Sequence, residues 1–320
     1  MFVVGGESLI DLVPVSAGAD AERVALAGGS PFNCAIALSR LGNETGFLCP
    51  ISRDQYGDLL LKPLAEASVA VLLEERVDAP TTRAIVTFNE KMQASYVFER
   101  GADHAFTREG LLAALPERVT LYQIGGFCPI LERDAAIWED VVTEAMARGA
   151  TISIDINVRD KLVDDEAGYR ARLSGFLDQA HLVKLSEEDH DWLEPGKSIE
   201  AHAAELLARP NCELVVVTLG EGGSRAFSRS GRAEAPIHAP PVFGDTVGAG
   251  DSLMAGILTW LGEHGALQRG GMARLQAPDL AAMLRFGAVV AGINCGRKGC
   301  QPPRRDEVDA VLGEQVLPKT

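Results

Sequence analysis

The sequence lacks an excess of basic residues and an apolar run of membrane length. Its 320 residues carry 30 Lys+Arg against 45 Asp+Glu, a formal net charge of −15. Such an acidic chain does not bind nucleic acid through bulk electrostatics, although a small anion site needs only local donors. The longest helix-like apolar stretch, 252–262, has 11 residues, whereas a membrane span needs about 20. We therefore predict a globular protein with neither nucleic acid nor membrane as a partner.

Cysteine and histidine are also too scattered to form a disulfide framework or a zinc site. The six cysteines contain no Cys-x-x-Cys pair, and none of the six histidines has a second histidine four residues away. Reduced thiols are typical of a cytoplasmic enzyme. The apolar start of the chain has no basic segment before it and is not a targeting signal. We expect a cytoplasmic protein.

What the sequence does contain is an alternation of β-rich apolar runs and helical patterns. A strand opens at Val3 and can continue to Val13, and a helix follows over 30–42. Later strands are predicted at 121–124, 150–156, 182–185 and 214–218, with helical patterns between them. This spacing predicts parallel βαβ units with helices on both faces of one sheet. The fold class is therefore α/β.

One region departs from this alternation. Two β-prone runs, 82–88 and 94–100, are separated by five hairpin residues, and residues 11–27 lack a helical pattern. We interpret residues of about 11–27 and 80–103 as a small β lid inserted in a single domain of 1–320. An exposed strand edge on this lid would permit a homodimer.

The most informative segment for chemistry is 245–252, Asp-Thr-Val-Gly-Ala-Gly-Asp-Ser. Glycines at a helix start let a ligand approach the backbone, and the first-turn N–H groups then form an anion site. Asp251 lies in that turn, where the helix dipole favours its ionised form. A carboxylate base beside an anion site is the minimal apparatus for transferring a phosphoryl group to a hydroxyl. On spacing alone, a tight turn before a helix-start carboxylate explains the pattern equally well.

Other segments place polar groups where a ligand would lie. Asp155-Ile-Asn-Val-Arg159 ends a buried strand, where open α/β sheets bind ligands. Asp11 and Asn33 can accept from and donate to vicinal hydroxyls. Each has a structural alternative: Asp11 as a strand-end carboxylate, Asn33 as a partner of a neighbouring loop, and Arg159 as an ion pair with Asp155 or Asp160.

Together these motifs resemble the PfkB, or ribokinase-like, carbohydrate kinase family, and most of all its fructokinases. The resemblance runs from Gly6-Glu-Ser-Leu-Ile-Asp11 through 28–35 and 245–251 to Gly299-Cys-Gln-Pro302, essentially the whole chain. It implies a three-layer α/β/α domain with a mostly parallel sheet and a small β lid. It also implies transfer of the γ-phosphoryl of ATP to a sugar hydroxymethyl group. Fructose is the first expectation, followed by 2-keto-3-deoxygluconate or another ketose and then ribose or a nucleoside; a non-catalytic sugar-binding protein is the alternative of another class.

The resemblance implies roles for individual residues. Asp251 would be the general base, and the backbone N–H groups of 248–251 would hold the transferred phosphoryl group; this catalytic set is Gly248, Ala249, Gly250 and Asp251. The sugar-binding set is Asp11, Gly28, Gly29, Ser30, Asn33, Arg159 and Asp251. The ATP-binding set is Ser186, Thr218, Gly220, Gly223, Gly250 and Ala288.

The chain departs from the family pattern where Mg²⁺ is expected. The family's Asn-x-x-Glu motif is Ser186-Glu-Glu-Asp189 here, so Asp189 would reach Mg²⁺ through metal-bound water. A K⁺ site is implied mainly through backbone carbonyls, at Asp245, Val247, Asn294, Arg297, Gly299 and Pro303. The expected ligands are thus a small-molecule sugar, ATP and Mg²⁺, with K⁺ as an optional addition.

Overall fold

The computed structural model describes residues 1–15, 22–88 and 94–314 of the chain. Within these ranges there are thirteen strands and ten α-helices. The strands are β1 (Phe2–Gly5), β2 (Leu9–Pro14), β3 (Arg23–Gly28), β4 (Thr45–Leu48), β5 (Ala70–Val71), β6 (Arg83–Phe88), β7 (Ala94–Glu99), β8 (Leu121–Gly125), β9 (Thr151–Asp155), β10 (Leu182–Ser186), β11 (Leu214–Thr218), β12 (Ser224–Ser228) and β13 (Arg232–Ala235). The helices are α1 (Ser30–Arg40), α2 (Gln55–Glu66), α3 (Arg108–Ala114), α4 (Glu132–Ala147), α5 (Glu166–Gln179), α6 (Glu187–Leu193), α7 (Ile199–Leu207), α8 (Ala249–Glu263), α9 (Ala277–Cys295) and α10 (Arg305–Glu314).

The main sheet has nine strands in the order β13-β12-β11-β10-β9-β8-β1-β4-β5. All neighbours from β11 to β5 are parallel, and only β12 and β13 pair antiparallel. The parallel sheet predicted from the alternating pattern is therefore confirmed. No helix in the described ranges is long and apolar enough to cross a membrane.

Helices cover both faces of this sheet, so the three-layer α/β/α prediction is confirmed. Neighbouring residues of one strand alternate between two hydrophobic cores, because side chains of a strand point to opposite faces. Val4 and Val216 belong to the core under α1, α2, α8 and α9. Val3 and Val215 belong to the core under α3, α4, α5 and α7.

A second, four-stranded sheet has the order β3-β2-β6-β7. It combines the two segments that the sequence set apart, with β2 and β6 parallel and the other neighbours antiparallel. The hairpin connection predicted at 89–93 and part of the predicted lid segment, 16–21, lie outside the described residues. We call these four strands the small sheet.

The prediction of one strand from Val3 to Val13 is wrong. The chain forms β1 in the main sheet and β2 in the small sheet, with a break after Gly5. Gly6 has a φ of +137°, and a Cβ at this position would overlap with Pro31 at the start of α1. A glycine is thus required where the chain leaves one sheet for the other.

The small sheet is anchored at the start of β6 by two threonines. Thr81 donates its N–H and hydroxyl to Asp54, at 2.8 and 2.6 Å, and Asp54 also caps α2. The hydroxyl of Thr82 donates to Asp103, which also accepts from Arg100 at 2.6 and 2.9 Å. These contacts fix the entry and exit of the β6–β7 hairpin against the main domain.

Candidate active site

A cleft of about 1170 Å³ lies at the carboxyl edge of the main sheet. Its walls include Asp155, Ser186 and Thr218, the last residues of β9, β10 and β11. Asp11 and Phe98 of the small sheet form another part of the wall, and the start of α8 a third. Parallel strands bring their carboxyl ends to one edge, which explains why segments distant in sequence meet here.

Asp251 lies in this cleft within the first turn of α8. Ser30 donates its hydroxyl to Asp251 Oδ1 at 2.6 Å, and Asn33 donates its side-chain N–H to Oδ2 at 2.9 Å. Burial raises the pKa of Asp251, whereas these two hydrogen bonds lower it. Each carboxylate oxygen is thus held by one side chain of α1, which orients the group the sequence predicted as a base.

The turn before α8 depends on Gly248. This residue is the N-cap of α8 with a φ of +71°, and a Cβ here would overlap with Cys300. The glycine therefore permits both the left-handed backbone and the close packing with which α8 starts at the cleft. The Ala249 N–H donates to the Thr246 carbonyl at 3.1 Å, so of the predicted anion site the N–H groups of Gly248, Gly250 and Asp251 remain for a ligand. Gly248, Ala249, Gly250 and Asp251 all line the cleft, as the sequence predicted.

The start of α1 also depends on a glycine. Gly29 is the N-cap with a φ of +111°, and a Cβ at this position would lie 2.8 Å from the Glu7 carbonyl oxygen. Pro31 occupies the first turn, where it needs no N–H partner. This helix start carries Ser30 and Asn33 to Asp251, so the structure brings both predicted sugar-binding side chains to the predicted base.

Asp11 and Arg159 lie at the end of the cleft that the small sheet borders. Burial raises the pKa of Asp11 to about 6, against the opposing charge of Arg159. Gly28 lies under Asp11, and a Cβ there would be 2.7 Å from Asp11 Oδ2. Within the described residues Arg159 forms no ion pair with Asp155 or Asp160, which was the alternative to a binding role for this side chain.

A buried ion pair in the cleft was not predicted. Lys184 Nζ lies 2.8 and 2.7 Å from the two carboxylate oxygens of Asp155, on neighbouring strands. Burial is the largest single effect and lowers the pKa of Lys184, but the carboxylates of Asp155, Asp189 and Asp251 together outweigh it, and the pKa is raised. Burial raises the pKa of Asp155 to about 6 despite the lysine. A Cβ on Gly250 would lie 3.4 Å from Lys184 Nζ, so this cation borders the predicted anion site.

All six predicted ATP-binding residues line the cleft. Thr218 ends β11, and Gly220 and Gly223 follow it in a turn where both have positive φ, +52° and +86°. A Cβ on Gly223 would overlap with the Ala235 carbonyl oxygen, which explains the glycine there. Ala288 of α9 faces the cleft beyond this turn. The nucleotide end predicted from sequence therefore forms one continuous wall.

Asp189 is held by backbone donors. Its Oδ1 accepts from Val158 N at 2.7 Å, and its Oδ2 accepts from Ser186 N at 2.8 Å. Ser186 in turn accepts from Asp189 N at 3.0 Å, which completes a capping box at the start of α6. The replacement of the family's Asn and Glu by Ser186 and Asp189 thus forms a self-consistent helix start. Each oxygen of Asp189 keeps further acceptor capacity.

Four of the six residues predicted around a monovalent cation contact one another. Asp245 accepts from Val247 N at 2.9 Å and from Gly299 N at 2.7 Å. Asn294 donates to the Val247 carbonyl at 2.8 Å. The Arg297 guanidinium donates to the Gln301 carbonyl and to the Glu307 carboxylate. Pro303 is buried. No lysine or arginine of the described residues pairs with Asp245, so its negative charge has no partner of opposite sign.

Three further residues of the cleft were not singled out by the sequence. Glu7, Phe98 and Phe127 line the end that contains Asp11. Phe98 and Phe127 form an edge-to-face pair with ring centroids 5.4 Å apart. Phe98 lies in a predicted strand run, but a side chain that faces a ligand and one that faces a core have the same periodicity. Glu7 and Phe127 lie between strands, where no periodic pattern marks them.

Comparison of the sequence with known families matches residues 1–307 to the pfkB family carbohydrate kinases. The chain is 31% identical over 289 residues to a fructokinase of Rhizobium leguminosarum bv. trifolii, covering 88% of this chain and 85% of that protein. It is 30% identical over 322 residues to a probable fructokinase-4 of Arabidopsis thaliana, covering 98% of this chain and 96% of that protein.

Known structures are similar over the same length. The crystal structure of a fructokinase from Xylella fastidiosa with bound ATP has a TM-score of 0.85 at 25% identity, over 99% of both chains. A ribokinase from Giardia lamblia has the same fold, with a TM-score of 0.81 at 22% identity over 98% of both chains. The family match spans nearly the whole chain, and the predicted catalytic and ATP-binding residues line one cleft, so this protein belongs to the pfkB family of carbohydrate kinases.

Proposed function

We propose that the protein transfers the γ-phosphoryl group of ATP to the hydroxymethyl group of D-fructose and forms fructose 6-phosphate. The observation that carries this proposal is Asp251, held by Ser30 and Asn33 at 2.6 and 2.9 Å in the first turn of a glycine-started helix. The fructokinases among its relatives support the choice of sugar.

In this mechanism Asp251 accepts the proton of the attacking sugar hydroxyl while that oxygen bonds to the γ-phosphorus. The bond from phosphorus to the bridging oxygen breaks, and ADP leaves with that oxygen. The N–H groups of Gly248, Gly250 and Asp251 donate to the transferred phosphoryl oxygens. Lys184 borders this group and stabilises its negative charge. Positioning and electrostatics supply most of the rate acceleration in such a transfer.

The charges at the sugar end favour a neutral substrate. Asp11 and Asp251 place carboxyl groups at this end, and Arg159 is close enough to lower the pKa of both. Lys184, which also lines the cleft, is paired with Asp155. A keto-acid substrate would bring a third carboxylate beside Asp11 and Asp251, whereas the hydroxyls of fructose can donate to the carboxylates present. This balance favours fructose over 2-keto-3-deoxygluconate.

Two cation roles belong to the proposal. Mg²⁺ bound with ATP would neutralise the phosphate charge, and Asp189 has the remaining acceptor capacity to hold it through water. K⁺ would lie near Asp245, whose charge has no ion-pair partner in the described residues. The two loops that meet at Asp245 carry the turn before α8, so a cation there would support the anion site.

The small sheet would act as the lid. Asp11 and Phe98 project from it into the cleft, so movement of this sheet toward the main domain would enclose the sugar and exclude water. Its outer strand β3 exposes Val24 and Leu26 by 46% and 45%. We propose that a second copy of the chain can cover these side chains in a homodimer.

The experiment is coupled ADP release with Mg·ATP and K⁺ against fructose, ribose, 2-keto-3-deoxygluconate, glucose and adenosine. We expect kcat/KM for fructose at least about tenfold above the others, a difference of about 1.4 kcal/mol in transition-state stabilisation. A preference for the keto-acid would overturn the fructose assignment and make Arg159 its carboxylate partner. Sugar binding without any turnover would overturn the kinase mechanism.

Asp251→Asn tests the base. We expect kcat to fall by at least about 100-fold while fructose binding measured by calorimetry changes little, because the amide keeps the shape but not the basicity. Asp279→Asn is the matched control, since Asp279 lies in the first turn of α9 outside the cleft and accepts from Gln276 N at 3.0 Å. Turnover near the native rate in Asp251→Asn would refute the assignment of the base.

A further inference from the structure

Glu7 is a buried carboxylate on the linker between the two sheets. It lies between β1 and β2, is 2% exposed and lines the sugar end of the cleft. Its Oε2 accepts a hydrogen bond from Phe127 N at 3.0 Å. Within the described part of the chain no lysine or arginine forms an ion pair with it. A buried carboxylate without a cationic partner is costly, so its presence calls for a role.

The loop after β8 is shaped around this carboxylate. Gly126 has a φ of +63°, and a Cβ at this position would overlap with both carboxylate oxygens of Glu7. A side chain at 126 is therefore excluded by backbone conformation and by space. The carboxylate and the glycine together fix the position of the next residue, Phe127.

Phe127 connects this loop to the small sheet. Its ring is 2% exposed and meets Phe98 of β7 edge-to-face, with an interplanar angle of 89°. The Arg100 guanidinium lies 5.3 Å from the centroid of the same ring, and Arg100 is held by Asp103 at the root of the β6–β7 hairpin. A shift of the Phe127 backbone would thus move the aromatic wall and its contact with the small sheet.

We propose that Glu7 is a positioning residue of the sugar site, whose carboxylate fixes the Phe127 amide and thereby the Phe98–Phe127 wall against which the sugar binds. Glu7 acts through Phe127. Its loss therefore weakens sugar binding and leaves the nucleotide end of the cleft, formed by α8, β11 and α9, unchanged. The inference rests on the proposed sugar-kinase function.

The test compares two substitutions in the full chain. Glu7→Leu removes the acceptor and leaves the buried Phe127 N–H without a partner, so we expect KM for fructose to rise at least about 10-fold. Glu7→Gln keeps an acceptor oxygen of the same reach, and its KM for fructose should stay within about threefold of the native value. The KM for ATP should change less than about twofold in both.

The matched control is Glu213→Leu. Glu213 is also a buried carboxylate that accepts from backbone, from Gly270 N at 2.6 Å and Ala273 N at 3.3 Å, but it does not line the cleft. This variant should lose stability and keep both KM values. Gly126→Ala provides a second route to the same defect, since its Cβ displaces the Glu7 carboxylate, and it should also raise KM for fructose alone.

The outcomes separate this inference from the proposed function. If the native protein phosphorylates no sugar, the function fails before Glu7 is tested. If it is active and Glu7→Leu keeps the native KM for fructose, the inference is overturned. Equal rises in both KM values, or a KM defect in Glu213→Leu, would also overturn it, because either would mark a general loss of structure.

Discussion

The buried pair of Lys184 and Asp155 allows stability and catalysis to be separated by mutation. Their side chains are 6% and 5% exposed, with a shortest N–O distance of 2.7 Å. Lys184→Met leaves the Asp155 carboxylate buried without its cation, which should lower the free energy of unfolding by about 3–5 kcal/mol at pH 7. It also removes the positive charge beside Gly250, so ADP release should fall by at least about 100-fold.

The loss of stability should depend on pH. Burial raises the pKa of Asp155 to about 6 in the native protein, and without Lys184 this pKa must rise further. A folded-state pKa above the unfolded value costs stability as pH rises through it. As the pH falls from 8 to 6, the Asp155 carboxylate is therefore protonated at a higher pH in Lys184→Met than in the native protein. The difference in the free energy of unfolding between the native protein and Lys184→Met should therefore shrink by up to about 1.4 kcal/mol for each unit by which the pH falls in this range.

The double variant Lys184→Met, Asp155→Leu distinguishes the two roles. Replacing both charges with apolar groups of similar size should restore most of the stability, as measured by urea unfolding at pH 7. Activity should remain as low as in Lys184→Met, because the charge near the transferred phosphoryl group is still missing. Lys197→Met is the control for a lysine paired at the surface, with Glu194 and Glu205. Recovery of kcat in the double variant would show that Lys184 has only a structural role.

Two other variants test the glycine turn and the buried acid of the sugar end. Gly248→Ala should reduce coupled ADP release at least about 10-fold, because its Cβ would overlap with Cys300 at a φ of +71°. The control is Gly196→Ala, which has a similar φ of +81° with open space around it and should keep native activity. Equal rates in the two variants would contradict this prediction. Burial raises the pKa of Glu7 from 4.5 to about 7, so native stability is lost as pH rises through that interval. Glu7→Gln avoids this loss, so between pH 5 and 8 its free energy of unfolding, measured in urea, should gain up to about 3 kcal/mol over that of the native protein. If the two free energies change in parallel with pH, burial does not raise the pKa of Glu7.

The alternation of strands and helices could be predicted because it follows from local periodicity. The run at 214–217 is apolar on both faces, and the structure buries both faces between helices. The site motif at 245–251 was recognised through its resemblance to the PfkB family, because on spacing alone a tight turn explains the same residues equally well. The break at Gly6 was not predicted, although Gly-Gly-Glu-Ser separates two apolar pairs there, because only the packing of Pro31 against Gly6 shows where the chain turns.

Lys184 and Glu7 show why the rest of the site could not be predicted. A lysine inside an apolar run becomes meaningful only when the neighbouring strand is known to end in Asp155. Glu7 depends on Gly126, 119 positions later in the chain, and no local pattern connects them. A site residue can be predicted from sequence when its role depends on the residues next to it in the chain. A pair formed between distant segments can be predicted only when the order of the strands in the sheet is known.

The bond between α1 and α8 has a consequence for the synthesis of the chain. Ser30 and Asp251 are separated by 221 positions, and α1 packs into the same core as α8. At a synthesis rate of about 5–20 residues per second, the N-terminal helix waits about 10–45 s for its partner. During this interval its apolar face has no α8 to cover it. The bond that orients Asp251 can therefore form only after translation has passed α8, and no kinase activity is gained before that point.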